Sequence, residues 1–162
     1  MYSRPWYHWL AFGGGSGLSP WLPGTMGTLA AVPIYCVLAL VVHNLWIYSG
    51  ILLLMIAVGP WLCGQTALDM QNGSTGKRAL DPPAIVWDEW VGLLLTLWGL
   101  PFSGWTLLVG FLWFRFFDML KPWPISWLDR HIHGGTGIML DDIAAAIPAL
   151  IILRLLLGAG WL

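Results

Sequence analysis

Five apolar runs, at about 27–43, 46–64, 84–100, 105–117 and 143–158, cover about half of the chain and carry few charges. Runs of this length need either the core of a large assembly or a lipid solvent. The charge supply decides between them. Only 9% of the 162 residues are charged and 58% are hydrophobic, against about 25% charged in soluble domains. So few charges cannot cover the surface of a soluble chain. The expected fold is therefore all-α: one domain over residues 1–162, built as a polytopic integral membrane helical bundle of about five apolar segments. Trp46, Trp61, Trp98, Trp105 and Trp161 fall where runs begin or end, as in an interfacial aromatic belt. A comfortable crossing takes about 20 residues. The third run, and more so the fourth, falls short, so the pair joined by Leu100–Gly104 can form a hairpin that re-enters.

The N-terminal stretch differs. Pro5 to Phe12 is rich in Trp and Tyr and suits a short interfacial helix. Gly13 to Thr28 reads as a loop, because its glycines and prolines disfavour regular structure. No cleaved signal is expected, since no long apolar stretch precedes a small-residue cleavage site. Cys36 and Cys63 both lie in apolar runs and read as small buried hydrophobes.

All eight carboxylates lie between Asp69 and Asp142, in or beside the polar segments at about 65–83 and 118–142. With five spans, those segments and the N-terminus share one side. Arg4, Lys77, Arg78, Arg115, Lys121 and Arg130 fall on or near it, and Arg154 alone falls opposite. The positive-inside rule makes the charged side cytoplasmic. A net charge of −1 gives no basic stripe for nucleic acid, and no obligatory protein partner is evident.

Three constellations can carry chemistry. In the first, Asp81 reads as an N-cap with Pro82 behind it, which puts Asp88 and Glu89 about two turns into a helix. Two adjacent carboxylates entering hydrocarbon cost a few kcal/mol each. A divalent cation held by oxygen ligands would offset that cost, as would an ion pair with Arg115 or Lys121. In the second, Arg115, Asp118 and Lys121 are three apart and share a helix face, ended by Pro122 and Pro124. They form either a salt-bridged stripe or a site in which the cations hold phosphate while Asp118 turns to a metal. In the third, Asp129-Arg130-His131-Ile132-His133 leads through Gly134-Gly135-Thr136-Gly137 to Asp141 and Asp142 at the opening of the fifth span. Adjacent helical residues point about 100° apart, so Asp141 and Asp142 do different jobs. His131 and His133 read as interfacial residues, because magnesium prefers oxygen. Ser16, Ser19, Thr25 and Thr28 could join backbone amides in a phosphate cradle, although spacing alone favours a tight entry into the first span.

Several classes drop out. A cysteine phosphatase needs Arg six residues after Cys, and positions 42 and 69 are Val and Asp. There is no His-Glu-x-x-His helix and no Gly-x-Ser-x-Gly elbow. Carboxylates, cations and glycines remain, the parts of metal-assisted phosphoryl transfer.

Four separated stretches resemble the phosphatidylglycerophosphatase A family: Gly15–Pro20 with Pro23–Thr28, Ile85–Glu89, Phe114–Asp118 with Lys121–Ile125, and Gly134–Asp142. They occur in that family's order and spacing from about Phe12 to Asp142. The resemblance implies a magnesium-dependent enzyme of the bacterial inner membrane that removes the terminal phosphate of phosphatidylglycerophosphate, a phospholipid substrate held in the bilayer. On that reading Asp81, Asp88, Glu89, Asp118, Asp141 and Asp142 hold Mg²⁺. Asp88, Glu89, Asp118, Lys121 and Asp142 form the catalytic set. Arg115, Lys121, Arg130, Thr25 and Thr28 take the phosphate. The rival reading of the same carboxylates is a divalent-cation or proton-coupled transporter, which would favour charges near the midplane and helices broken from both sides.

Overall fold

The computed structural model describes residues 5–73 and 82–162. Among them the chain is all helical with no strand. The elements are α1 (Trp6–Ala11), a 3₁₀ segment (Gly13–Leu18), α2 (Pro23–Val41), α3 (Leu45–Gly73), α4 (Trp87–Thr96), α5 (Gly104–Leu120), α6 (Ile125–His131) and α7 (Gly134–Gly158). α7 is central and packs against α3, α4, α5 and α6, while α4 also packs on α2.

Local chemistry sets the boundaries. Pro23 opens α2, where a missing N–H costs nothing. Asn44 Oδ1 accepts the Trp46 amide at 2.8 Å to start α3. Ser103 Oγ accepts the Thr106 amide at 2.9 Å to cap α5. α5 stops at Lys121, whose backbone is left-handed (φ 43°), just before Pro122.

α2 and α3 are long and apolar enough to cross a membrane, over Pro23–Val41 and Leu45–Asn72, and only 22% of each such window is buried. A core helix of a soluble protein would bury most of its length. Here Val41, Trp46, Leu53, Leu54, Leu112 and Leu155 lie exposed, an outer surface that suits lipid. The protein is membrane-associated. The five-span expectation is not met by this criterion, which only these two helices satisfy among the described residues. The third run yields α4, ten residues and so about 15 Å long, half the hydrocarbon thickness. The fourth yields α5 with 17 residues. The fifth yields α7, which is long enough at 25 residues but carries Asp141, Asp142 and Arg154.

The expected N-terminal interfacial helix is present as α1, and it is latched to α3. Tyr7 Oη donates to Asp69 at 2.5 Å, and His8 Nε2 lies 3.0 Å from the same carboxylate. That hydrogen bond raises the Tyr7 pKa. The expected loop Gly13–Thr28 is largely ordered: the 3₁₀ segment and the first turns of α2 fill it. Serine and threonine hydroxyls are spent internally, from Ser16 to the Gly13 carbonyl, from Ser19 to Trp21 and from Thr28 to Gly24.

Close backbone crossings hold the bundle. A Cβ on Gly135 would collide with the Pro60 carbonyl and stand 2.6 Å from the Gly64 nitrogen, so α3 and α7 touch through small residues. The elements run alternately. The start of α2, the end of α3, the start of α4, the end of α5 and the start of α7 therefore converge at one end of the bundle. At the other end Arg154 donates to the Trp98 carbonyl at 3.0 Å.

Candidate active site

Asp88 and Glu89 stand in the first turn of α4, not two turns into a helix begun at Asp81. Asp81 itself lies outside the described residues. The later start has a local cause. Pro82 and Pro83 disfavour helix in the residue before each, and Ile85 turns back to Pro82 at 3.0 Å. The Val86 amide is then taken by the Ala11 carbonyl at 2.8 Å. Gly17 meets the Ala84 carbonyl, and a Cβ on Gly27 would stand 2.5 Å from Val86 Cβ. Residues 84–86 are thus held among α1, the 3₁₀ segment and α2, and the helix begins at Trp87. The first turn favours carboxylates.

The α7 carboxylates show the reverse. The helix starts at Gly134, so Asp142 lies about 12 Å along its axis rather than at its opening. The glycines of Gly134–Gly137 remain helical because α7 must approach Pro60 and Gly64 there.

These two starts bring Asp88, Glu89 and Asp142 together. One carboxylate oxygen from each lies within 4.8 Å of the others. The three residues are 8%, 8% and 3% exposed, and Asp141 is 6% exposed. Asp118 reaches Asp142 from the end of α5. Two cations flank the group. Arg115 bonds to Asp118 and extends its guanidinium toward Thr25 at 3.3 Å and Thr28 at 3.5 Å. Lys121 Nζ donates to Asp129 at 2.7 Å and Asp141 at 2.5 Å. Burial works against the Lys121 charge, but the bonds to Asp129 and Asp141 outweigh it and hold the ammonium above its ordinary pKa. A Cβ on Gly24 would stand 2.5 Å from Glu89 Oε1 and 3.3 Å from the Arg115 guanidinium. The glycine lets the α2 start close over the site.

The cluster has the donor set for a hard divalent cation. Its ligand atoms are all oxygen. Glu89 Oε2, Asp141 Oδ1 and Asp142 Oδ2 are buried without a hydrogen-bond partner. Buried polar atoms are normally satisfied, and five carboxylates here face two cations. The stripe 115–118–121 does both things the sequence allowed: Arg115 pairs with Asp118, while Lys121, beyond the helix end, turns to Asp129 and Asp141. Among the expected phosphate-binding residues, Thr25 and Thr28 sit against Arg115, and Arg130 lies exposed on α6. His131 stacks on Trp127 and bonds its carbonyl at 2.8 Å, an interfacial role as expected. Sequence reasoning missed the Tyr7–His8–Asp69 latch; Asp69 stood out only as a carboxylate at the end of an apolar run.

The model of the family described as Phosphatidylglycerophosphatase A matches residues 9–157. The chain belongs to the phosphatidylglycerophosphatase A family. A protein of that name from Escherichia coli (strain K12) is 47% identical over 160 residues, covering 98% of this chain and 87% of its own. Another, from Haemophilus influenzae, is 41% identical over 146 residues, covering 90% and 85%. A third relative, from Bacteroides thetaiotaomicron, is provisionally named a phosphatidylinositol-3-phosphatase. It is 31% identical over 155 residues, covering 92% and 90%. No solved structure matches the chain. As a phosphatidylglycerophosphatase A family member the protein is a phosphatase, and the carboxylate cluster is its one buried group of candidate metal ligands among the described residues.

Proposed function

We propose that the cluster hydrolyses the terminal phosphomonoester of phosphatidylglycerophosphate with Mg²⁺, giving phosphatidylglycerol and inorganic phosphate for phospholipid biosynthesis. The observation that carries this is the buried Asp88–Glu89–Asp142 triad, with its unsatisfied oxygens, in a chain of this family. Asp88, Glu89 and Asp142 would hold the ion, with Asp118 and Asp141 beside them. Asp81 belongs to the set by sequence. When bound, the ion polarises the phosphoryl oxygens and lowers the pKa of a bound water.

The chain's own groups do the rest. Arg115 and Lys121 fix Asp118 and Asp141 and place positive charge where the phosphoryl group enters. Thr25 and Thr28 orient the Arg115 guanidinium. Water attacks phosphorus, its proton passes to a carboxylate of the cluster, and the P–O bond to glycerol breaks as that oxygen takes a proton. The acyl chains stay in lipid, and only the head group need reach the bundle end.

In this reading the whole chain is one multi-pass domain of the bacterial inner membrane, with α4 and α5 as the hairpin. The charged end faces the cytoplasm, and no protein partner is required. The K/R bias of the sequence supports that orientation. The name of the third relative fits the same chemistry, since a phosphoinositide also carries a phosphomonoester on a diester-linked polyol.

The test is product analysis with purified protein in mixed micelles. Phosphatidylglycerol and phosphate in equal amounts are expected. Absence of both from folded protein, together with cation flux in proteoliposomes, would replace the enzyme with a transporter.

A further inference from the structure

A cavity of about 390 Å³ adjoins the carboxylate cluster and shares Asp141 with it; Asp129, Arg130, His133, Gly134 and Ile138 also line it. Three observations give it a chemistry. First, of the four cations among the described residues, Arg115 and Lys121 are ion-paired and Arg154 bonds to Trp98. Arg130 has neither an ion pair nor a side-chain hydrogen bond, and it lines this cavity. Second, α7 starts at the cavity wall. His133, its N-cap, supplies no side-chain bond, so the first amides lack intrahelical acceptors and favour an anion. Third, Asp141 is 6% exposed and its Oδ1 has no hydrogen-bond partner, although its Oδ2 is held by Lys121. The cavity thus offers a free guanidinium with helix amides, and a buried acceptor on the cluster side.

The argument rests on the proposed phosphatase reading of the neighbouring cluster. The substrate then has three polar parts in order: a phosphomonoester that leaves, a glycerol hydroxyl, and a phosphodiester that is retained. With the monoester at the cluster, the hydroxyl meets Asp141 and the diester reaches Arg130. We propose that this cavity binds the retained part of the head group. Arg130 and the α7 amides take the bridging phosphodiester, and Asp141 Oδ1 accepts a hydrogen bond from the glycerol hydroxyl. Arg130 is then a specificity residue. It favours lipids whose phosphomonoester sits on a diester-linked polyol over lipids with a single phosphate.

The experiment compares kcat/KM for phosphate release from phosphatidylglycerophosphate and from phosphatidic acid, which has a monoester but no diester. The full chain is used in mixed micelles, with Arg130→Gln and Arg130→Lys beside it. The unaltered protein is expected to prefer phosphatidylglycerophosphate. Arg130→Gln lowers that preference by roughly ten- to hundredfold, the worth of a charged hydrogen bond, and acts mainly through KM. Arg130→Lys, which keeps the charge but loses the planar fork, falls between. A preference retained in Arg130→Gln overturns the proposal: falling rates on both lipids would put Arg130 on the scissile phosphate, and unchanged rates would leave the cavity without a head group. Equal use of both lipids by the unaltered protein also overturns it. Phosphate release from neither lipid by the unaltered protein marks failure of the underlying phosphatase reading.

Discussion

Glu89 Oε1 occupies the space that a side chain at position 24 would take. Gly24→Ala therefore displaces either Glu89 or the Arg115 guanidinium. A loss of about tenfold or more in phosphate release is expected, since small misplacements near a reacting centre are costly; the assay is steady-state turnover alongside a thermal melt. Asp88→Asn removes one negative ligand and should lower turnover by at least about a hundredfold. Membrane insertion and the size-exclusion profile should be unchanged. Turnover near that of the unaltered protein would remove Asp88 from the cluster. The sequence marked Asp88, Glu89, Asp118, Asp141 and Asp142 because carboxylates beside apolar runs demand an explanation. It did not show which of them meet, because that depends on where two helices begin.

Those starts are decided between elements. Proline at 82 and 83 suggested a helix from Asp81, yet the Val86 amide is claimed by Ala11 in α1, and α4 cannot start before Trp87. Local propensity pointed one way, and a tertiary hydrogen bond with two glycine contacts decided the matter. At α7 the glycines of 134–137 suggested a loop, but they pack against Pro60 and Gly64 as helix. Gly135→Ala drives a methyl group into the Pro60 carbonyl and is expected to cost about 1–3 kcal/mol of stability, read as a lower melting temperature in detergent. The α1 latch gives a milder prediction. Tyr7→Phe removes one hydrogen bond to Asp69 and should cost about 1 kcal/mol. Faster proteolysis at the N-terminal segment would register it, and an unchanged cleavage rate would show that α1 is held without the latch.

At the scale of the whole molecule, alternating helix directions collect at one bundle end the residues that the sequence scatters from position 24 to position 142. Composition made the lipid environment legible, and charge placement made the single active end legible. The number of crossings was less so: α4 is too short to span, and α7 carries charges that its length alone does not reveal. The central claim is that this buried end is a cation-dependent phosphatase centre. Its most direct test is phosphate release from phosphatidylglycerophosphate by the purified chain with Mg²⁺, after excess EDTA, and after Mg²⁺ is restored. The account predicts release, loss and recovery in that order. Release that continues undiminished in EDTA, from protein stripped of bound metal, would contradict it.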